Sequence, residues 1–327
     1  MARLGKNFVL ALGLGVAVYL VLAVLTGFED LREAFGQFRW PLIPGILGLV
    51  FTSYVGRFAR WLYYLRILDV SVPLRENAAI FAAGLSMTIS PGKLGEVLKS
   101  VFVRQVAGAP VARTAPTVIA ERVTDGTGMI LWGLLGALAF SFGPGLLLAF
   151  LAFTVLGIAV LRSKKLSLLA ERALSRLPFL NRFAPYLGDF HGASSELLSV
   201  RALVVATAIS FISWGFEIVA VYLCVVGIGA EVPFLMVVFI FAVSSIVGVA
   251  SMLPGGIGPA EAGLAGQFIA LAGLSDGLAA ALTIVIRLAT LWFAILLGLV
   301  GLFLVRLLLG AVEPEPNAPD TSAKPER

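Results

Sequence analysis

Two pairs of oppositely charged residues recur at one spacing within apolar stretches of this sequence. The interval from Glu96 to Arg122 is identical to the interval from Glu261 to Arg287. Each glutamate follows a break rich in glycine and proline, and a helix that starts there offers free N–H groups to an anion. Ionisable residues in apolar segments usually pair or line a cavity. The spacing favours two Glu–Arg pairs that line a polar cavity, and pairs that only hold the halves together are the alternative.

Further cations lie close in sequence to the first pair. Lys93, Glu96 and Lys99 are spaced to share one face of a helix, and Arg57 and Arg60 are three positions apart in another apolar stretch. Clustered cations bind a phosphate through charge-assisted hydrogen bonds. We predict that these four cations surround the cytoplasmic mouth of the cavity and hold an anionic head group. The alternative for the two arginines is that they snorkel to the lipid head groups.

Arg122 also belongs to a local group of charges with Glu121 and Asp125. On a helix these side chains are close enough to form a network, and such a network more often has a structural role than a catalytic one. Carboxylates in a cavity can also act as acid and base. Arg122 and Asp125 are therefore candidate binding residues. Glu217 stands alone in a long apolar stretch, and the sequence suggests no partner for it.

The composition excludes a soluble or a disordered protein. Of the 327 residues, 59% are hydrophobic and 13% are charged, whereas soluble domains carry about 25% charge. The sequence therefore predicts an all-α polytopic membrane protein. In such a protein the net charge of +5 sets topology, and we expect no nucleic-acid partner. Cys224 and His191 are each the only residue of their type, so we expect no disulfide, no metal and no cofactor.

Six apolar stretches are predicted to cross the membrane, since a crossing takes about 20 residues. They lie at residues 7–28, 40–68, 112–142, 146–161, 202–226 and 277–309. Two other apolar stretches, 77–107 and 233–273, are interrupted by glycine and proline. Non-helical backbone within a membrane is tolerated only where protein or water covers it. We predict two re-entrant hairpins, with hinges at Pro91, Gly92, Gly95, Pro254, Gly255, Gly256 and Gly258.

The two halves of the chain match at a single offset in residue number. The same offset relates Glu96 to Glu261, Gly108 to Gly273 and Arg122 to Arg287. Repeat one covers residues 8–142 and repeat two residues 146–309, within one transmembrane domain at 1–312. Each half has three full crossings, so the second half starts on the opposite side of the membrane. The repeats are therefore predicted to be inverted, as in alternating-access transporters.

The charge distribution predicts the orientation in the cell membrane. Basic residues cluster at 57–75, 93–113 and 162–201. Because basic loops stay in the cytoplasm, both termini and the loop 162–200 are predicted to be cytoplasmic. Leucines that alternate with basic residues at 166–177 suggest an amphipathic surface helix in that loop. Residues 313–327 are predicted to form a disordered tail.

Several motifs resemble one known family. They are GLSMTISPGKLGEVLKSVFV (84–103), VIAERVTD (118–125), SMLPGGIGPAEAGLAG (251–266), IVIRLATLW (284–292) and RFARWLYYL (57–65). Their order and spacing resemble the lysylphosphatidylglycerol synthase transmembrane, flippase-like family over residues 8–308. The resemblance implies a domain that moves lipids between leaflets. We expect a stand-alone member without the soluble synthase domain.

Three functions compete for this sequence. The first is a flippase or transporter, not an enzyme, for an anionic or aminoacylated phospholipid or a polyprenyl-linked lipid. The second is a membrane enzyme on a lipid-linked substrate, with Glu96, Glu121 or Asp125 as acid or base. The third is an accessory subunit whose partners are lipid-biosynthesis enzymes. The inverted repeat favours the first, because alternating access uses a pseudo-symmetric site.

Overall fold

The computed structural model describes residues 13, 15, 17–21, 24, 27–90, 95–140, 145–163, 165 and 187–310. All regular secondary structure in these residues is helical. The first half contains α1 (Phe28–Gln37), a 3-10 turn (Trp40–Leu42), α2 (Ile43–Ile67), α3 (Leu74–Leu85), a 3-10 turn (Ser86–Ile89), α4 (Leu98–Ala107), a short turn of helix (Val111–Thr114) and α5 (Pro116–Ala139). The second half contains α6 (Gly145–Arg162), α7 (Leu187–Leu197), α8 (Val200–Gly227), α9 (Phe234–Ala250), a 3-10 turn (Pro254–Gly256), α10 (Pro259–Ala272), α11 (Asp276–Arg287), a π-helical segment (Leu288–Trp292) and α12 (Phe293–Leu309).

Three helical segments are long and apolar enough to cross a membrane by length and composition. They are Trp40–Ile67, Val200–Gly227 and Asp276–Leu309, and the shorter helices Leu147–Arg162 and Phe234–Ala250 are also apolar. Helix α5 has the length of a crossing, although it carries Glu121, Arg122 and Asp125. The all-α polytopic fold predicted from the composition is confirmed.

Hydrogen bonds between loops define two opposite ends of the molecule. At the basic end (residues 66–75, 104–114 and 187–201), Arg113 donates to the carbonyl of Leu68 and pairs with Glu196. At the acidic end (residues 28–42, 227–234 and 272–277), the Arg39 N–H donates to the carbonyl of Gly227. Helices α2 and α8 pack against each other and run in opposite directions between these ends.

Both predicted hairpins are re-entrant, and they enter from opposite ends. Helix α3 begins and α4 finishes at the basic end, where Gln105 donates to the carbonyl of Leu309. Helix α9 begins and α10 finishes at the acidic end. The turns at the two tips, Ser86–Ile89 and Pro254–Gly256, contact each other inside the molecule. The halves are therefore inverted relative to each other, as the odd number of crossings predicts.

Each hairpin packs its first helix against the last helix of the other half. Helix α3 contacts α12, and α9 contacts α5. Glycines permit both contacts: Gly298 and Gly301 lie against the backbone of α3, and Gly133 and Gly136 lie against α9. The same offset that relates the Glu–Arg pairs also relates these glycines. Small residues let helix backbones approach closely in membranes, so the repeat extends to the packing between the halves.

The structure differs from the sequence-based expectations at several helix ends. The third crossing begins as the turn Val111–Thr114 and continues as α5 from Pro116, because proline is favoured at the first position of a helix. Helices α1 and α7 were not predicted; α7 packs beside α5 and α6. The predicted surface helix at 166–177, the tail at 313–327 and both chain termini lie outside the described residues.

Candidate functional site

A cavity of about 400 Å³ lies where the two hairpin tips meet the long helices α2, α5 and α8. Side chains from both halves line it. Among the described residues, the lining includes five cations and four carboxylates: Arg57, Arg60, Lys99, Arg122, Arg287, Glu96, Glu121, Asp125 and Glu217. The charged side chains that were predicted to line a cavity do line this one, and the positive and negative charges among them are nearly balanced.

The first predicted Glu–Arg pair faces this cavity. Arg122 donates to Glu96 at 3.0 Å and lies 3.7 Å from Asp125 and 3.9 Å from Glu121. The Arg122 side chain is 26% exposed, which is more than any of the carboxylates around it. Arg122 is thus a cation that three carboxylates share and that a molecule entering the cavity can reach.

The second predicted pair is also formed, but it is bound to the backbone of its own hairpin tip. Arg287 donates to Glu261 at 2.6 Å and to the carbonyl of Gly255 at 2.7 Å. Glu261 accepts from the N–H of Gly258 at 2.7 Å, which completes a cap at the start of α10. Gly255, Gly256 and Gly258 all have positive φ, a conformation that glycine adopts without steric cost. This pair fixes the shape of the second tip.

Arg60 forms a buried ion pair with Asp125. Two guanidinium nitrogens lie 2.5 Å and 3.2 Å from the two carboxylate oxygens. Arg60 also donates to Ser210, and Trp214 donates to Asp125 at 3.2 Å. Arg60 is only 1% exposed, so it does not snorkel to lipid head groups. The pair ties α2, α5 and α8 together at the cavity wall.

Arg57 supplies the partner that Glu217 lacks in the sequence. The guanidinium lies 2.5 Å from the carboxylate and 4.1 Å from the centre of the Trp214 ring. Ser53 donates to the same carboxylate. One feature of the sequence could have indicated this pair: the long helices α2 and α8 each carry a charged residue that needs a partner. The contact itself depends on how the two helices are rotated.

Lys99 forms a further buried pair with Glu121. Its ammonium lies 2.7 Å from the carboxylate, 3.9 Å from Glu96 and 4.5 Å from the centre of the Trp61 ring. At the equivalent positions of the second repeat the chain carries Leu264 and Ile286 in their places. This pair therefore occurs in one half only.

Three of the four cations predicted to hold a head group belong to the described residues, and all three line the cavity. Arg57, Arg60 and Lys99 each contact a carboxylate within 2.7 Å. Lys93 lies outside the described residues, together with the predicted hinge residues Pro91 and Gly92. Gly95 is described, and its N–H donates to the hydroxyl of Ser90 across the first break. Each of these cations is paired with a carboxylate on another helix, so the spacing of residues within one helix could not predict the pairs.

Within the ranges that the structure describes, no three His, Cys, Asp or Glu side chains are grouped to hold a metal ion. The single cysteine, Cys224, is buried in the apolar core and lies outside the cavity lining. The described side chains of the cavity supply ion pairs, hydrogen bonds and aromatic rings.

Two broken hairpins that enter from opposite ends and meet beside a charged cavity define a polytopic membrane protein of the inverted-repeat class. Comparison with known proteins narrows that class. Residues 9–298 match the family described as the lysylphosphatidylglycerol synthase TM region, and the chain belongs to that family.

The similar curated proteins are archaeal membrane proteins of the UPF0104 group. One from Pyrococcus horikoshii is 26% identical over 267 residues, which cover 73% of this chain and 79% of the relative. One from Methanothermobacter thermautotrophicus is 25% identical over 309 residues, which cover 87% of this chain and 90% of the relative. No solved structure matches this chain.

Proposed function

We propose that this protein moves an anionic or aminoacylated phospholipid, or a polyprenyl-linked lipid, between the two leaflets of the cell membrane. The observation that carries the proposal is the meeting of two inverted, broken hairpins at one charged cavity. Such an arrangement places a polar site near the middle of the membrane, where either half can open it to one side. The family description, which refers to a lipid synthase, agrees with a lipid as the substrate.

The cavity wall suits an amphiphilic substrate. Val249, Met252 and Leu253 line the cavity at the end of α9, and all three are also exposed at the surface of the protein. An apolar, exposed rim lets acyl chains stay in the bilayer while a head group enters the charged interior. A small polar solute would not need such an apolar rim.

Arg122 is the residue best placed to bind a phosphate. It is the most exposed of the five cations that line the cavity, and its carboxylate partners hold it in position. A charge-assisted hydrogen bond to phosphate contributes roughly 1.5–3 kcal/mol. Loss of this bond would weaken binding by about ten-fold or more, since about 1.4 kcal/mol is a factor of ten.

The test is lipid movement in reconstituted vesicles that contain fluorescently labelled phosphatidylglycerol. Dithionite added outside reports which labelled lipids have reached the outer leaflet. We expect Arg122→Gln and Glu96→Gln to reduce protein-dependent movement at least ten-fold while the melting temperature in detergent stays near normal. Arg113→Gln, which removes a partly exposed pair with Glu196 outside the cavity, is the matched control and should move lipid normally.

Two results would count against this proposal. If the wild-type protein moves no more labelled lipid than empty vesicles do, the proposed translocation function is wrong. A chemically altered lipid, found by mass spectrometry in the same vesicles, would favour the membrane-enzyme alternative. The same method applied to purified protein identifies the lipid that it retains.

A further inference from the structure

Among the residues that the structure describes, six charged side chains of the first half form one cluster beside the cavity. Three are cations and three are carboxylates: Arg60, Lys99, Arg122, Glu96, Glu121 and Asp125. Each cation of the cluster lies within 4 Å of at least one of its carboxylates. With all six ionised, the cluster has no net charge.

An anionic head group disturbs this balance. A phosphate that enters next to Arg122 adds one negative charge to a neutral cluster that is largely shielded from water. Charge interactions are much stronger in such an environment than in water, and an uncompensated charge there is costly. One proton taken up by a carboxylate of the cluster would restore neutrality. The charge count therefore calls for one proton with each singly charged head group.

Glu121 is the carboxylate with room for that proton. It lines the cavity and is 2% exposed. Its Oε2 accepts from Lys99 at 2.7 Å, whereas the buried Oε1 has no hydrogen-bond partner among the described residues. Both oxygens of Asp125, in contrast, lie within hydrogen-bonding distance of Arg60. A proton can bind to Glu121 Oε1 without breaking an existing hydrogen bond to that atom.

The surroundings of Glu121 allow the cluster to respond. Its charged and titratable neighbours among the described residues are Lys99 on α4, Glu96 before α4, Arg60 and Tyr64 on α2, and Arg122 and Asp125 on its own helix. Arg57 and Glu217 line the same cavity as a pair with each other. Helices α6, α7 and α9 also pack against α5; α9 carries no charged residue, and the described charged residues of α6 and α7 are not part of the cavity lining. Once Glu121 is neutral, the Lys99 ammonium is attracted to Glu96, which lies 3.9 Å away. Glu96 then holds Arg122 less strongly, and Arg122 becomes free to bind phosphate.

We propose that Glu121 is a proton-binding site that couples lipid movement to a pH gradient, with one proton bound at Glu121 for each anionic head group bound at Arg122. This inference rests on the proposed lipid translocation and names its energy source. In the binding step an O–H bond forms between a proton from water and Glu121 Oε1, and Lys99 keeps its own proton. The same bond breaks when the head group leaves on the other side. No oxidant, reductant or nucleotide is needed.

The stoichiometry makes two quantitative predictions. A head group of charge −1 that crosses with one proton carries no net charge, so a membrane potential should not redistribute the lipid. A pH difference of one unit is a ten-fold difference in proton concentration. At one proton per lipid it should therefore drive about a ten-fold difference in lipid concentration between the leaflets.

The experiment uses phosphatidylcholine vesicles that contain the full-length protein, labelled phosphatidylglycerol and an internal pH-sensitive dye. A pH step of one unit or a potassium–valinomycin potential is applied, and the leaflet distribution and internal pH are followed. We expect the pH step to shift the labelled lipid about ten-fold and the potential to leave it in place. Labelled phosphatidylcholine, which carries no net charge, should not respond to the pH step.

The variant Glu121→Gln separates the proton site from the lipid path. Glutamine keeps the shape of the side chain but does not bind a proton at the pH values of the experiment. Movement of the labelled lipid should therefore become independent of the pH gradient. Glu196→Gln, on the surface of α7, is the control and should behave as wild type.

Three outcomes would overturn the inference. If the wild type moves phosphatidylglycerol equally fast with and without a gradient, and distributes it equally, the proton site is wrong while lipid translocation stands. If the potential redistributes the lipid, the neutral stoichiometry is wrong. If the wild type moves no lipid in any condition, the proposed function falls and the proton site falls with it. The wild-type measurements decide these cases even if Glu121→Gln does not fold.

Discussion

Arg122 and Arg287 occupy equivalent positions in the two repeats, yet their surroundings differ. Arg287 is tied to Glu261 and to the carbonyl of Gly255, so it stabilises the second hairpin tip. Arg122 is shared among carboxylates and reaches the cavity. The same residue type at the same repeat position thus stabilises a hairpin tip in one half and faces the cavity in the other. The difference arises because only the first half carries additional charges around its arginine.

The Arg60–Asp125 pair should be essential for stability. Removing one partner leaves the other charged and buried, which typically costs about 3–5 kcal/mol. We therefore expect Arg60→Ala and Asp125→Ala each to lower the melting temperature strongly in detergent. The double variant Arg60→Leu/Asp125→Leu should recover part of that loss, because no charge is left unpaired.

The surface pair Arg113–Glu196 provides the comparison. Its side chains are 33% and 42% exposed, and exposed pairs usually contribute only about 0–1 kcal/mol. Arg113→Ala should therefore change the melting temperature little. If Arg60→Ala were as mild as Arg113→Ala, the buried pair would have no structural role.

Among the helices, the contacts between the halves depend on glycine. A Cβ added at Gly301 would collide with the backbone of Ala82 and Ala83, and one added at Gly136 would lie 2.7 Å from the carbonyl of Leu235. Helices α3 and α12, and likewise α9 and α5, are therefore packed backbone to backbone. These contacts were not predicted from the sequence, because glycine is common in membrane helices and does not by itself identify a contact.

We expect Gly301→Leu to destabilise the protein through the α3–α12 contact. Overpacking a close contact typically costs about 1–3 kcal/mol, and here the obstacle is backbone, which cannot move aside as a side chain can. The melting temperature in detergent should fall accordingly. Gly157→Ala on α6, where nothing lies within 4 Å of the added Cβ, should not reduce it. An unchanged melting temperature for Gly301→Leu would mean that the two helices are not packed this closely.

For the molecule as a whole, the orientation in the membrane can be measured directly. The basic end contains the predicted cytoplasmic loops, and the acidic end contains the predicted external ones. We expect an impermeant thiol reagent to label Glu231→Cys in intact cells, and Glu196→Cys only after the cells are opened. Both positions are exposed, and the natural Cys224 is 1% exposed and should give little background.

The opposite labelling pattern would reverse the predicted orientation while leaving the inverted fold intact. Labelling of both positions from outside would contradict the two-ended architecture itself. Ser194, which lies on the same helix as Glu196, is unsuitable for this test because it is 3% exposed.

Local features of the sequence were sufficient to predict the class of the protein, the two broken hairpins, their inverted relation and the two Glu–Arg pairs. These features are runs of apolar residues, breaks at glycine and proline, and a repeated offset. The pairs could be predicted because both members recur at the same spacing in each half.

The identity of the other charge pairs depends on the tertiary structure. Arg57 with Glu217, Arg60 with Asp125 and Lys99 with Glu121 join residues 160, 65 and 22 positions apart. Such contacts depend on how each helix is rotated about its axis and on its depth in the membrane. In a soluble protein the apolar stripe of a helix reveals its rotation. In a membrane protein lipid and protein interior are both apolar, so the hydrophobic pattern carries little of that information.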